Sequence, residues 1–271
     1  ELGGSTIYQN SELYKIENDN SSDWLKKEID ELKQIKNIDI KTRTIVAAFH
    51  SYNFLLAREN LTDHLTLSER KDKIRQRLWK IRAKKVIIAT GAIERPLIFN
   101  NNDRPGILLS SAVKKYIDYF GVIGGKKSVV FTNNDSGYET AVSLSEKGVK
   151  VNCIIDIRKK NSSELIKKVE NLGIKIYWEH TIVGTDGYRR LKKISIMSLS
   201  KDGSLVTGEK INIYCDCLAM SGGWTPAVHL FTQSGGKLKF REKDQVFIPD
   251  TAQSDQISVG SCNGNFGLEG V

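Results

Sequence analysis

Residues 127–156 constrain this chain most. Residues 127–132 are a short apolar, β-branched run, Asn133-Asn134-Asp135-Ser136-Gly137 is a turn, and residues 138–146 have the make-up of a helix. Gly148 stops that helix, and residues 149–156 are apolar again. A strand, a crossover helix and a second strand within about thirty residues form a βαβ unit. A crossover of that length returns the chain to the end it left, so the two strands run parallel. A helix over 163–172 and a strand over 174–178 continue the alternation. A parallel sheet is covered on both faces, which makes the chain an α/β protein.

The flanking segments fill in the rest. Ser22 or Asp23 is placed to cap a helix carrying Trp24, Leu25, Ile29, Leu32 and Ile35 on one stripe. Residues 42–50 and 53–59 read as paired strands, 75–82 as a third, and 86–90 as a buried strand. A helix over 110–120 closes at Gly121. Strands are expected over 181–185, 194–199 and 204–206, the last after the turn Lys201-Asp202-Gly203. Residues 211–220 read as one long apolar strand ending in Ser221-Gly222-Gly223, and 257–260 as a last short one. Trp224-Thr225-Pro226 has the pattern of a helix start.

Ligands of α/β proteins sit beyond the carboxyl ends of strands, where small residues allow close approach to the backbone. Three segments meet that description: Gly3-Gly4-Ser5, Ala89-Thr90-Gly91 and Ser261-Cys262-Asn263-Gly264. Backbone amides in such loops cradle phosphate or ribose oxygens. The turn at 133–137 sits where a three-glycine dinucleotide fingerprint would be, yet only Gly137 matches it. Asp135 would set a carboxylate against a phosphate. Asp156 lies at the distance of a ribose-binding acid, but the turn favours a βαβ unit that holds no nucleotide.

Net charge is +9, with 41 Lys+Arg against 32 Asp+Glu. The basic residues are spread along the chain without an aromatic-plus-basic motif, so they read as solvated faces and no nucleic-acid partner is expected. No apolar run approaches the ~20 residues of a membrane span, and no signal peptide opens the chain. Of the four cysteines, Cys215 and Cys217 are expected on one face of a strand. With Cys153 and Cys262 they lack the paired spacing of a zinc site or a Cys-x-x-Cys motif, and read as buried thiols of a reducing, cytoplasmic compartment. His50, His64, His180 and His229 show no pairing with a nucleophile. His229 faces either core or cofactor, and Glu94-Arg95 reads as a turn-fixing ion pair. No catalytic residue and no metal site is assigned.

The runs ATGAIERPLIF, NNDRPGILLSSAV, VVFTNNDSGYETA and SGGWTPAVHLFTQSGGKL carry a resemblance over nearly the whole chain. They are similar to the α subunit of heterotetrameric sarcosine oxidases. The resemblance implies two Rossmann-like lobes of the FAD/NAD(P)-binding, disulfide-reductase-like type, the second inserted into the first. The first lobe would occupy 1–100 and 214–271, and the inserted lobe 101–213. It further implies an internal stretch of a longer protein, with the pyrophosphate-binding GxGxxG and the ribose-binding acid upstream of Glu1. Such a piece alone would be inactive.

The same resemblance places NAD⁺ in the first lobe as a structural, non-redox group. Gly3, Gly4 and Ser5 would line it, the Val46 backbone would meet the adenine, and Ala89, Thr90 and Gly91 would close over it. Ser261, Phe266 and Leu268 would belong to the last cofactor loop. Ser261 stands where related flavoproteins carry an aspartate, which favours NAD⁺ over FAD. FAD and FMN would lie in a partner subunit or an interface, and the partners would be β, γ and δ subunits. The implied reaction is oxidative demethylation of sarcosine, a small-molecule substrate, by O₂. The alternatives are an FAD-dependent pyridine nucleotide oxidoreductase and a scaffold that binds no nucleotide.

Overall fold

The computed structural model describes residues 2–8, 15–16 and 19–267. The chain divides into two compact units, Glu1–Ile93 with Thr225–Val271, and Glu94–Trp224. Residues 94–100 and 214–224, both expected in the first lobe, therefore fall in the second unit.

After a 3-10 turn (Gly4–Tyr8) and a two-residue ladder between Lys15–Ile16 and Asp19–Asn20, the first unit continues with helix α1 (Ser21–Gln34). Its N-cap is Asn20, so Ser22 and Asp23 lie inside the first turn rather than at the cap. Strands β1 (Thr44–His50), β2 (Phe54–Asn60) and β3 (Gln76–Arg82) form an antiparallel meander. Then comes β4 (Val86–Ile88). The expected strand over 86–90 is shorter and less buried than its composition suggested. Alternate residues face opposite ways, so Ile88 enters the core with Phe49, Leu55, Phe231 and Cys262 while Ile87 is 70% exposed.

The second unit contains β5 (Ile107–Leu109), α2 (Ser110–Asp118), β6 (Lys127–Thr132), α3 (Ser136–Glu146), β7 (Lys150–Asp156), α4 (Glu164–Asn171) and β8 (Lys175–Trp178). It continues with β9 (His180–Asp186), β10 (Lys193–Leu199), β11 (Val206–Tyr214) and β12 (Cys217–Ser221). Five strands make one parallel sheet in the order β8-β7-β6-β12-β5. Period-two alternation splits its side chains between two cores. Val130, Ile154 and Ala219 pack with Val113, Val142 and Val169 of the helices. Val129, Phe131, Ile155 and Leu218 pack with Ile182, Ile194 and Ile196 of the antiparallel sheet β9-β10-β11. The sheet is thus covered by helices on one face and by a second sheet on the other.

The run 211–220 is two strands, not one, and 204–206 is only the approach to β11. The break is at Asp216, whose carboxylate accepts the backbone N–H groups of Lys126 (3.1 Å) and Lys127 (2.8 Å). Cys215 and Cys217, expected on one face, consequently pack in different cores.

The chain returns to the first unit through Trp224–Pro226, a short strand where a helix start was expected. The helix, α5 (His229–Gln233), begins later. A hairpin of β13 (Lys237–Arg241) and β14 (Val246–Thr251) follows, and β15 (Gln256–Ser258) pairs parallel with β4.

Candidate functional site

In the first unit the carboxyl end of β4 and the loop after β15 lie side by side. Ile88 O accepts the backbone N–H of Val259 (2.9 Å) and the thiol of Cys262 (3.1 Å). Ala89 and Thr90 are exposed just beyond. Gly91 (φ 74°) holds a left-handed turn, and Gly260 (φ 64°) does the same at the start of the Gly260–Asn263 turn. A Cβ at either glycine would meet open space. The Ala89–Gly91 turn is fixed from behind, because Thr90 Oγ1 donates to Ala227 O (2.7 Å) and Ala227 N to Gly91 O (2.9 Å). A rigid wall of exposed backbone at a strand's carboxyl end fits the close approach of a dinucleotide.

Val46 belongs to the same core as Ile88 and Cys262, and the β1–β2 ladder shifts register between Val46 and Ala48. Val46, Ala89-Thr90-Gly91 and Ser261 are thus built on one framework. Phe266 is 41% exposed beside the Arg241 guanidinium, whose NH2 donates to Gly264 O at 2.7 Å. Gly3-Gly4-Ser5 opens a short 3-10 turn that packs on α1, where Gly3 meets Leu25. Leu268 lies outside the described residues.

The corresponding end of the inserted sheet is filled by the protein itself. Beyond β6 and β12, Asn134 donates to Ser221 Oγ (3.0 Å) and accepts the backbone N–H of Ser136 (3.1 Å) at the start of α3. The Trp224 indole N–H donates to Ser136 Oγ (3.1 Å). Asp156, weighed above as a ribose ligand, is fully buried. It accepts Tyr138 OH (2.8 Å) and the backbone N and side chain of Arg158, which also pairs with Asp135 at 2.8 Å. Burial, followed by the Asp156 carboxylate, pushes the Tyr138 phenol well above its ordinary range. The Ser136 N–H at the start of α3 and the acid that a nucleotide would use are already engaged.

Other candidates resolve individually. Glu94 is 4% exposed and accepts the Ser111 N–H (2.8 Å) in the first turn of α2, so its carboxylate caps a helix rather than fixing a turn. Burial raises its proton affinity despite hydrogen bonds from Ser111 and Ser221. The four thiols are free and buried, and burial pushes Cys153 and Cys215 up to about 12, far from the thiolate needed for exchange chemistry. Contrary to expectation, one histidine does pair with a hydroxyl: His180 Nε2 lies 3.1 Å from Ser198 Oγ across β9 and β10. Its other nitrogen is 2.6 Å from Trp178 O, a backbone carbonyl rather than the acid of a triad. His229 is exposed at the start of α5. Among the described residues no cluster could hold a metal, and no helix is long and apolar enough to cross a membrane.

Residues 56–258 match the sequence model described as pyridine nucleotide-disulphide oxidoreductase. The chain is 34% identical over 268 residues to the sarcosine oxidase subunit alpha of Corynebacterium sp. (strain P-1), covering 98% of this chain and 27% of that protein. It is 31% identical over 261 residues to the subunit of the same name from Rhizobium meliloti (strain 1021), covering 96% and 25%. The chain therefore spans about a quarter of the length of these curated relatives. In structure it is similar to T. acidophilum thioredoxin reductase, with TM-score 0.66 at 17% identity over 98% of this chain and 81% of that one. P. horikoshii L-proline dehydrogenase is also similar, with TM-score 0.63 at 20% identity over 97% and 44%.

Proposed function

We propose, from the premise that this chain belongs to the pyridine nucleotide-disulphide oxidoreductase family, that it is the NAD-holding region of an amine-oxidising oxidoreductase related to sarcosine oxidase α subunits. The contrast between the two strand-end sites carries this reading. The wall of Ala89-Thr90-Gly91 and Gly260-Ser261 is open, while the inserted unit's equivalent is closed by Asn134, Ser136, Tyr138 and Trp224.

The backbone at Ala89, Thr90, Gly91 and Ser261 would face the pyrophosphate and riboses, and Val46 the adenine. Gly3, Gly4, Ser5, Phe266 and Leu268 would lie along the rest of the dinucleotide. NAD, when bound here, supplies no hydride chemistry and serves as a structural group. The four cysteines are free, buried and without a Cys-x-x-Cys spacing, which favours a holding role over disulfide-exchange chemistry.

For the whole assembly we infer a reaction of the kind that the relatives' name, sarcosine oxidase, suggests. Sarcosine, O₂ and water would give glycine, formaldehyde and H₂O₂, with FAD and FMN in a partner subunit or interface and β, γ and δ subunits completing the complex. This chain would contribute cofactor binding and subunit contacts. The full-length protein, isolated with its partners, is expected to release peroxide from sarcosine without consuming NADH or NADPH. Nicotinamide consumption in place of peroxide release would instead establish an FAD-dependent pyridine nucleotide oxidoreductase.

A further inference from the structure

The second unit has a cavity of about 480 Å³ that the dinucleotide reading does not use. Lys127 opens β6 and Asp216 immediately precedes β12, so the cavity lies at the amino ends of the central strands. The end filled by Asn134 and Ser221 is a strand length away, about 20 Å. The cavity is open to solvent, and Lys126, Lys127, Arg190 and Lys192 line it with one acid, Asp216, over a floor that includes Leu191, Tyr214 and Cys215.

That acid is already committed. Its carboxylate takes two backbone amides, from Lys126 and Lys127. Burial raises its proton affinity, but these amides and the Arg190 charge outweigh burial and hold it below its ordinary value. Arg190 is anchored through backbone carbonyls, those of Asp216 (3.1 Å) and Gly124 (3.4 Å). Among the described residues Lys126, Lys127, Arg190 and Lys192 have no carboxylate within ion-pair distance. The frame is tightly built: a Cβ on Gly125 would fall 2.4 Å from Asp216 Oδ1, and Cys215 N donates to Lys192 O (3.1 Å). Four cations around one concavity repel one another, and a bound anion removes that repulsion.

We propose that this cavity binds a small polyanion carrying two or three clustered oxyanion charges, of the pyrophosphate or polycarboxylate kind. Arg190, tethered through the Asp216 and Gly124 carbonyls, would orient the oxyanions, and the three lysines would supply charge from the rim. The test is isothermal titration of the intact full-length protein with inorganic pyrophosphate and, separately, with citrate. Saturable one-site binding of either probe is expected, and the better probe tells phosphate from carboxylate ligands. Affinity should fall at least tenfold in Lys126→Gln/Lys192→Gln, with the melting temperature unchanged or raised, because neither ammonium has an internal partner and two mutually repelling charges are removed. Lys127→Gln gives an independent check and should also weaken binding. The proposal is overturned if neither probe saturates, or if both variants bind as the wild type does, which would place the anion elsewhere on the protein.

Discussion

Asp156 shows at the scale of one residue how the inserted unit closed its own site. Its carboxylate has no solvent exposure and is shared by the Tyr138 hydroxyl and the Arg158 guanidinium. Removing one partner of a buried charged network leaves the others unsatisfied. Asp156→Ala is therefore expected to cost about 3–5 kcal/mol in urea unfolding. Tyr138→Phe, which leaves Arg158 on the carboxylate, should cost only about 1 kcal/mol. Equal losses would mean that the network is not organised around the acid. Glu94 gives a pH signature. Its folded proton affinity is raised above the ordinary value of 4.5. Above that pH the unfolded chain has released a proton that the native state still holds, so stability falls as pH rises through the window. Glu94→Gln should remove this fall and raise the melting temperature more at pH 8 than at pH 5. An identical shift at both would show that Glu94 is ionised throughout.

At the scale of elements, α3 is seated by Gly137, since a Cβ there would lie 2.7 Å from Thr132 Cβ and Oγ1. Thr132 is buried and its hydroxyl donates to Asn134 O, so it has little room to give. Gly137→Ala should destabilise by about 1–3 kcal/mol, read by thermal unfolding. A neutral result would show that the α3–β6 seat is loose. The βαβ alternation was legible because apolar runs and helix signals there agree, as with Ser163, whose hydroxyl accepts Ile166 N–H at the start of α4. The break within 211–220 was not, because it depends on Asp216 meeting the amides of Lys126 and Lys127, about ninety residues away in sequence. The hairpin of β13 and β14 was missed although Lys237-Leu238-Lys239-Phe240 alternates with the period of a strand; in β14 the exposed Phe247 between buried Val246 and Ile248 hides that period. Of the candidate site, the small residues at 89–91 were visible as a strand end. The plugging of the inserted site was not, for Trp224 reaches Ser136 only through the fold.

At the scale of the whole molecule, the family assignment and the open wall point to dinucleotide binding in the first unit. The parallel pair β4–β15 leaves Ile87 70% and Ile257 59% exposed, although parallel strands are ordinarily covered on both faces. Gly91 joins that wall to the ligand question. Gly91→Ala would force a side chain into a left-handed turn, at about 1 kcal/mol, and would project a methyl into the open space. Dinucleotide retained after purification should fall severalfold in this variant. The most direct test of the central claim is to denature the purified full-length protein, separated from any flavin-bearing partner, and identify the released dinucleotide by mass. The account predicts NAD at about one equivalent per chain. Recovery of FAD alone, or of no dinucleotide, would contradict it.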